Sequence, residues 1–180
     1  TQAAWERVAG CTEPAVAIIK HANPAGVAVA DSPAEAYRAA LAGGPVSAFG
    51  GIIALNRPLD GATAALIAEL FAEVVIAPGA DDAARAALAA KKNLRLLLTE
   101  AMPDPAPPGL EVKSLAGGYL VQGRDGGRTT ADDLPLVTQR APHHPARRQL
   151  MFPFPAATLR HTPRLLLSHP PHHVSRRSPA

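Results

Sequence analysis

The chain has 180 residues, of which 47% are hydrophobic and 18% charged, a balance typical of a soluble domain with one core. Aromatic residues make up only 4%, so the core must be built mainly from Ala, Val, Ile and Leu. No apolar run reaches the roughly 20 residues of a membrane span, and the first residues carry no secretory signal pattern. The single cysteine, Cys11, cannot form an internal disulfide. We therefore expect a cytoplasmic protein with no membrane partner.

The first predicted strand is the short apolar run AVAII at 15–19. It leads directly into KHANPAG, where Pro24 and Gly26 predict a turn. Three further strands are predicted at 51–55 (GIIAL), 74–78 (VVIAP) and 94–99 (LRLLLT).

Three helices are predicted between these strands, each from the residue at its start. Ser32 precedes Pro33 and stands three positions before Glu35, the pattern of a capping box with proline in the first turn. Asp60 should cap a second helix that extends to residue 73, and Asp81 with Asp82 a third that ends near Asn93. The second helix has an apolar stripe formed by Ala62, Leu66, Ile67 and Leu70.

Strands that alternate with helices of this length predict an α/β fold with a largely parallel sheet. After a proline-rich loop at 102–109, two short strands are predicted at 111–115 and 119–122.

The last part of the chain, residues 143–180, differs from the rest in composition. It holds six arginines, six of the seven histidines and seven of the nineteen prolines, with no glycine and no Asp, Glu or Lys. This proline density blocks helix interiors and central strands. Two interpretations stay open, a disordered basic tail or a frame-shifted gene end. The overall charge of +3 comes from this tail, so it does not indicate that the folded part binds nucleic acid.

The best local candidate for chemistry is Lys20-His21, at the end of the first predicted strand. A histidine can accept a proton near neutral pH, and a neighbouring lysine supplies a fixed positive charge. The alternative is a solvated lysine beside a turn histidine. The segment 47–51 (SAFGG) is either a glycine turn that approaches a phosphate or an ordinary tight loop. The histidine pairs 143-144 and 172-173 do not predict a metal site, because a proline-rich segment cannot hold ligands in fixed geometry.

Several motifs together resemble one family. They are KHANPAGVA, GGPVSAFGGIIALNRPLD, EVVIAP, AKKNLRLL and LAGGYLVQGRD, which follow one another over roughly residues 10–142. They are similar to segments of the 5-aminoimidazole-4-carboxamide ribonucleotide (AICAR) formyltransferase domain, which the family fuses behind an inosine monophosphate cyclohydrolase domain. The resemblance implies that residues 1–142 are part of a cytidine-deaminase-like α/β layered sheet with flanking helices, and that 143–180 lie outside it.

The resemblance also implies a reaction, the transfer of a formyl group from 10-formyltetrahydrofolate to the amine of AICAR in purine biosynthesis. By match to the family motifs, His21 is the proton acceptor, Lys20 stabilises the oxyanion, and Gly50 and Glu73 contact the nucleotide. Some relatives carry Asp at the position of Glu73. The family forms homodimers, and no zinc is implied.

Two substrate-binding segments of the family do not occur in this sequence, an Arg-Tyr pair and a segment resembling KSNAIV. The competing hypothesis is therefore a non-catalytic fragment with at most weak nucleotide binding. A third hypothesis, a nucleic-acid binder, rests only on the arginines of the tail and on Phe152 and Phe154, and we do not favour it.

Overall fold

The structure is a computed structural model that describes residues 1–105, 107–124, 131–133, 135–137, 139 and 141. The predicted tail, 143–180, lies outside the described residues. The elements in chain order are α1 (Gln2–Ala9), β1 (Ala15–Lys20), β2 (Asn23–Val29), α2 (Pro33–Ala42), α3 (Pro45–Ala48), β3 (Gly51–Leu55), α4 (Gly61–Glu69), β4 (Ala72–Ala77), α5 (Asp82–Ala89), β5 (Arg95–Leu98), β6 (Leu110–Leu115), β7 (Gly118–Gly123) and a 3-10 turn (Ala131–Asp133).

The main sheet has five strands in the order β2-β1-β3-β4-β5. Strands β3, β4 and β5 are parallel, but β1 runs antiparallel to both β2 and β3. The predicted largely parallel sheet is therefore wrong, and the fold is a mixed α/β sheet with flanking helices. The difference arises because the chain turns back after β1 and forms the antiparallel strand β2 before helix α2 begins.

The turn of this hairpin lies at His21-Ala22, and the predicted turn at Pro24 and Gly26 is wrong. Both of those residues belong to β2, which the sequence did not predict as a strand. Proline lacks a backbone donor, but β2 is an edge strand, where a missing donor is tolerated. The pairing also shifts between Ile18 and Ile19, which leaves Ala25 as the extra residue of a bulge.

Apolar side chains pack on both faces of the sheet, because successive strand residues point in opposite directions. On one face, Val16 and Ile18 pack with Ile53, Val75 and apolar residues of α2, α4 and α5. On the other face, the buried residues of the strands meet α1; they are Ala15, Ala17, Ile19, Ala54 and Ile76, packed with Ala4 and Val8. The sheet thus forms the middle layer of the fold.

The three predicted helix starts are confirmed. Glu35 N–H donates to Ser32 Oγ at 3.3 Å, and the backbone N–H groups of Thr63 and Ala84 donate to the carboxylates of Asp60 and Asp81 at 2.7 and 2.6 Å. These side chains satisfy donors that the first turn of a helix leaves unpaired.

Two predicted helix ends are wrong. Helix α4 stops at Glu69 because β4, which begins at Ala72, pairs with β3 and takes up the residues predicted to continue the helix. Helix α5 stops at Ala89, before Asn93. The predicted stripe of α4 is also only partly right: Ile67 is buried, Ala62 is exposed, and Thr63 and Ala64 are buried instead.

Strands β6 and β7 form a separate antiparallel ribbon, and both were predicted. One face of the ribbon carries the exposed apolar side chains of Leu110, Val112, Tyr119 and Val121. The other face carries Glu111, Lys113 and Gln122, in which Glu111 accepts a hydrogen bond from Gln122 and pairs with Lys113 at 3.5 Å. Across the described ranges, no helix combines the length and apolar character needed to cross a membrane.

Candidate active site at one edge of the sheet

The topology brings all four predicted site residues to one edge of the sheet. This edge is formed by the ends of the strands and not by the side of an outer strand such as β2. Because β1 is antiparallel to β3, and β3 is parallel to β4, the end of β1 lies beside the beginnings of β3 and β4. Lys20 is the last residue of β1 and His21 follows it, Gly50 precedes β3, and Glu73 is the second residue of β4. The edge is therefore not the one expected for a parallel sheet, where the carboxyl ends of all strands meet.

Lys20 is half-buried at the end of β1. Its Nζ donates a hydrogen bond to the carbonyl oxygen of Phe49 at 2.8 Å, which joins it to the loop before β3 across 29 residues of sequence. This contact fixes the ammonium at the edge of the sheet.

His21 and Ala22 form the two-residue turn between β1 and β2. Both adopt left-handed backbone conformations, with φ of 51° and 66°. Such turns suit the twist of a hairpin but favour Asn and Gly, so a β-carbon at both positions costs roughly 1–2 kcal/mol per residue. His21 is exposed, and its carbonyl oxygen accepts from Asn23 Nδ2 at 3.4 Å. The imidazole makes no hydrogen bond or ion pair within the described residues, so it projects from the tip of a strained turn.

Gly50 has a left-handed backbone, with φ of 69°. Its N–H donates to the carbonyl oxygen of Phe71 at 2.8 Å. The predicted glycine turn at 47–51 is in fact the short helix α3 followed by this left-handed residue. Because the Gly50 N–H is already bonded inside the protein, it is not available to bind a phosphate in this conformation.

Glu73 is exposed in β4. The pairing of β3 with β4 passes from Gly51–Ala72 to Ile52–Val74, so Glu73 has no partner opposite it. An unpaired strand residue of this kind bends the strand and changes the direction of a side chain. The carboxylate is therefore accessible to a ligand at this edge.

An open cleft of about 400 Å³ is lined by Phe49 and Ala72, the chain neighbours of Gly50 and Glu73, but by none of the four predicted site residues. Its walls include the rings of Phe49 and Phe71, whose centroids are 5.1 Å apart, and the polar side chains of Lys91, Lys92 and Asn93. Neither lysine has an ion-pair partner in the part of the chain that the structure describes. Sequence reasoning missed this cleft, since its residues come from three separate segments of the chain, at 49, 68–72 and 91–94. The one available signal was the pair of phenylalanines in a chain with few aromatics.

Three titratable groups away from this edge are perturbed by burial. Burial raises the pKa of the Cys11 thiol to about 11, and Cys11 Sγ donates weakly to the Arg7 carbonyl oxygen at 3.9 Å. The pKa of Tyr37 is raised by burial and by the nearby charge of Glu69, and the pKa of Arg7 is lowered by burial. These groups pack in the fold and do not line the site. Among the described residues, no three His, Cys, Asp or Glu side chains gather as a metal ion would require.

Comparison with known proteins places the chain in one family. The family model described as the AICARFT/IMPCHase bienzyme matches residues 1–162, a range that runs past residue 142. The chain is 62% identical over 141 residues to the bifunctional purine biosynthesis protein PurH of Parvibaculum lavamentivorans, covering 78% of this chain and 26% of that protein.

Two other PurH proteins show the same relation. The protein of Cereibacter sphaeroides strain ATCC 17029 is 58% identical over 160 residues, which cover 87% of this chain and 30% of the relative. The protein of Rhodospirillum rubrum is 60% identical over 142 residues, which cover 79% of this chain and 27% of the relative. The chain thus spans less than a third of the length of these relatives. Since the family model matches most of its residues, the chain belongs to the AICARFT/IMPCHase bienzyme family.

Proposed function

We propose that this chain carries part of an AICAR formyltransferase active site, with His21 and Lys20 as its catalytic residues. The observation that carries the proposal is the placement of Lys20, His21, Gly50 and Glu73 at one edge of the sheet, in a chain that belongs to the family. The proposal includes a cytidine-deaminase-like fold for residues 1–142, a cytoplasmic location and a homodimer.

The chemistry requires a base and a cation. The amine of AICAR is a poor nucleophile, because its lone pair is delocalised into the imidazole ring and the carboxamide. His21 accepts a proton from this amine as its nitrogen attacks the formyl carbon of 10-formyltetrahydrofolate. The Lys20 ammonium stabilises the oxyanion of the tetrahedral intermediate. The bond from the formyl carbon to the folate nitrogen then breaks, and that nitrogen takes up a proton to give tetrahydrofolate.

The exposed imidazole and the half-buried ammonium suit these two roles. A base at the tip of a turn can reach a ligand that lies along the edge, and a cation held by one carbonyl keeps two N–H donors for an oxyanion. Glu73 is proposed to bind the ribose hydroxyl groups of the nucleotide, since a carboxylate accepts two hydrogen bonds. In this proposal Gly50 contacts the nucleotide through its partly exposed backbone and not through its N–H, which donates to the Phe71 carbonyl oxygen.

The second candidate function is that of a non-catalytic fragment with weak nucleotide binding. It is favoured by the length of the relatives, more than two thirds of which has no counterpart in this chain. Positioning of reactants supplies roughly 7–11 kcal/mol of a reaction barrier, so a base and a cation alone give little rate. We therefore expect at most a trace of turnover from this chain.

The test measures binding and turnover separately on the full chain. AICAR binding is measured by calorimetry. The affinity should fall about tenfold in Lys20→Ala and in Glu73→Ala, as expected for loss of a charge-assisted hydrogen bond. It should be unchanged in the control, Lys113→Ala on the β6–β7 ribbon. Formation of tetrahydrofolate from 10-formyltetrahydrofolate with AICAR should stay at a trace, and His21→Ala should abolish that trace. Failure of AICAR to bind, or equal binding by all variants, would contradict the proposed site. Robust turnover would contradict the fragment hypothesis.

A further inference from the structure

The peptide group between Phe49 and Gly50 is hydrogen bonded at both of its ends. Its carbonyl oxygen accepts from Lys20 Nζ at 2.8 Å, and its N–H donates to the carbonyl oxygen of Phe71 at 2.8 Å. A trans peptide is planar, and its C=O and N–H point in opposite directions. One rigid group therefore connects the residue before β4 with the ammonium at the end of β1.

We propose that this peptide is a positioning device for the Lys20 ammonium, and that Gly50 and Phe71 are the positioning residues that hold it. The role of Lys20 in catalysis rests on the proposed function above. The contacts alone indicate that Gly50 and Phe71 fix the position of Lys20.

Gly50 is required for its backbone conformation and not for space. A β-carbon added there would stand 3.6 Å from Phe71 Cε1, an ordinary van der Waals distance. Its φ of 69°, however, lies in the region that residues with a β-carbon avoid. Another residue at this position favours a rotated peptide, and rotation turns the Phe49 carbonyl away from Lys20. Asparagine is the exception, because it tolerates the left-handed region.

Phe71 holds the peptide through both its backbone and its ring. Its carbonyl oxygen accepts from Gly50 N–H, which polarises the peptide and makes the Phe49 carbonyl a stronger acceptor for Lys20. Its ring packs on the Phe49 ring, with centroids 5.1 Å apart, and lies 3.6 Å from the position that a β-carbon on Gly50 would take. Neither ring belongs to the two core clusters, and Phe71 is 43% exposed. Truncation of Phe71 should therefore affect the site more than the core.

The chain contains four lysines, which provides a built-in comparison. Lys91, Lys92 and Lys113 are exposed and, among the described residues, donate no hydrogen bond to the 49–50 peptide, although Lys91 and Lys92 line the same cleft as Phe49. A lysine nitrogen that is held by a carbonyl and partly buried is approached less easily by an acylating reagent than an exposed one. The relative acetylation rate of Lys20 thus reports how well the peptide holds it.

The experiment is competitive acetylation of the full chain, with the rate at each lysine read by mass spectrometry. Phe71→Ala and Gly50→Ala should raise the rate at Lys20, relative to the other three lysines, by about threefold to tenfold, the range expected when a hydrogen bond of ordinary net strength is weakened or lost. Phe71→Tyr keeps the ring and Gly50→Asn keeps the left-handed backbone, so both should stay within about twofold of the parent chain. Gly117→Ala, with open space around it, is the control and should change nothing.

The results test separately whether Gly50 and Phe71 hold Lys20 and whether Lys20 lies in an AICAR site. An unchanged Lys20 rate in Phe71→Ala would overturn the proposal, as would a rise shared by all four lysines, which would mean that the ring only supports the fold. If Gly50→Ala does not fold, Phe71→Ala and its tyrosine counterpart still decide. Added AICAR should protect Lys20 in the parent chain. Lack of protection, with the variant effects intact, would contradict the proposed function and leave the positioning device standing.

Discussion

A β-carbon built on Gly26 would overlap the backbone carbonyl oxygen of Ala40. Gly26 lies in the edge strand β2, and Ala40 lies in helix α2, so glycine allows the helix to pack directly on the strand. Gly26→Ala should lower the free energy of unfolding by about 3 kcal/mol, because the obstacle is backbone and cannot move aside as a flexible side chain would. Urea denaturation followed by circular dichroism measures this loss.

The control for this variant is Gly118→Ala, a substitution in another strand where nothing lies within 4 Å of the added carbon. Its effect should stay within about 0.5 kcal/mol. If the two variants lost equal stability, the close approach of α2 to β2 would not be the reason for glycine at position 26.

Ala22→Gly should stabilise the chain. Ala22 has φ of 66°, a conformation that costs an L-residue about 1–2 kcal/mol, and glycine removes that cost. Glycine also increases the conformational entropy of the unfolded chain, which lowers the free energy of unfolding by about 0.4–1 kcal/mol. The net increase in the free energy of unfolding should therefore be roughly 0.5 kcal/mol. The comparison is Ala86→Gly, at an exposed position within α5, which should destabilise by about 1 kcal/mol. Both variants are measured by urea denaturation. If the free energy of unfolding changed in the same direction in both, the strain assigned to the turn would be contradicted.

The buried side chain of Asn56 joins backbone groups at the other end of the strands, away from the candidate site. Its Oδ1 accepts from Ala15 N–H at 2.7 Å, and its Nδ2 donates to the carbonyl oxygens of Cys11 and Glu13 at 2.9 and 2.8 Å. Asn56→Ala leaves several backbone groups without a partner and should cost about 3–5 kcal/mol of unfolding free energy. Asn93→Ala, at an exposed position, should cost less than about 0.5 kcal/mol by the same urea measurement. A small loss in Asn56→Ala would mean that water replaces the amide.

Cys11 should make stability fall at alkaline pH. Burial raises the pKa of its thiol from 9.0 to about 11, so the folded state holds its proton more tightly than the unfolded state does. The resulting stabilisation is fully present below pH 9 and is lost as the pH rises through 11. The pKa of Tyr37 is raised as well. The decisive quantity is therefore the difference in the free energy of unfolding between the parent chain and Cys11→Ala across this pH range. A difference that does not change with pH would rule out the thiol as its source.

The predictions made from the sequence succeeded where local chemistry decides the structure. Ser32, Asp60 and Asp81 begin helices because their side chains bond to backbone donors three residues on, a relation that is visible in the sequence. The run GIIAL is a buried strand because it is apolar and lies between turns.

The failures occurred where distant parts of the chain decide. Strand β2 contains Pro24 and Gly26, which argue against a strand, yet it forms because β1 offers a free edge and Gly26 fits beneath α2. Helix α4 ends early because β3 pairs with Ala72. Likewise, the four site residues could be named from family motifs, but the contact from Lys20 to Phe49 could not, since it depends on the antiparallel pairing of β1 with β3.

The hydrogen bond from Lys20 to Phe49 has a consequence for the order in which the protein assembles. Lys20 is made early in synthesis, but its acceptor is fixed only when Gly50 bonds to Phe71, just before β4. The ribosome adds about 5–20 residues each second, so Lys20 waits several seconds for its partners. During that interval the hairpin of β1 and β2 can close while the lysine remains unattached. The environment of the Lys20 ammonium would then report the completion of the sheet, and not the folding of the hairpin that carries His21.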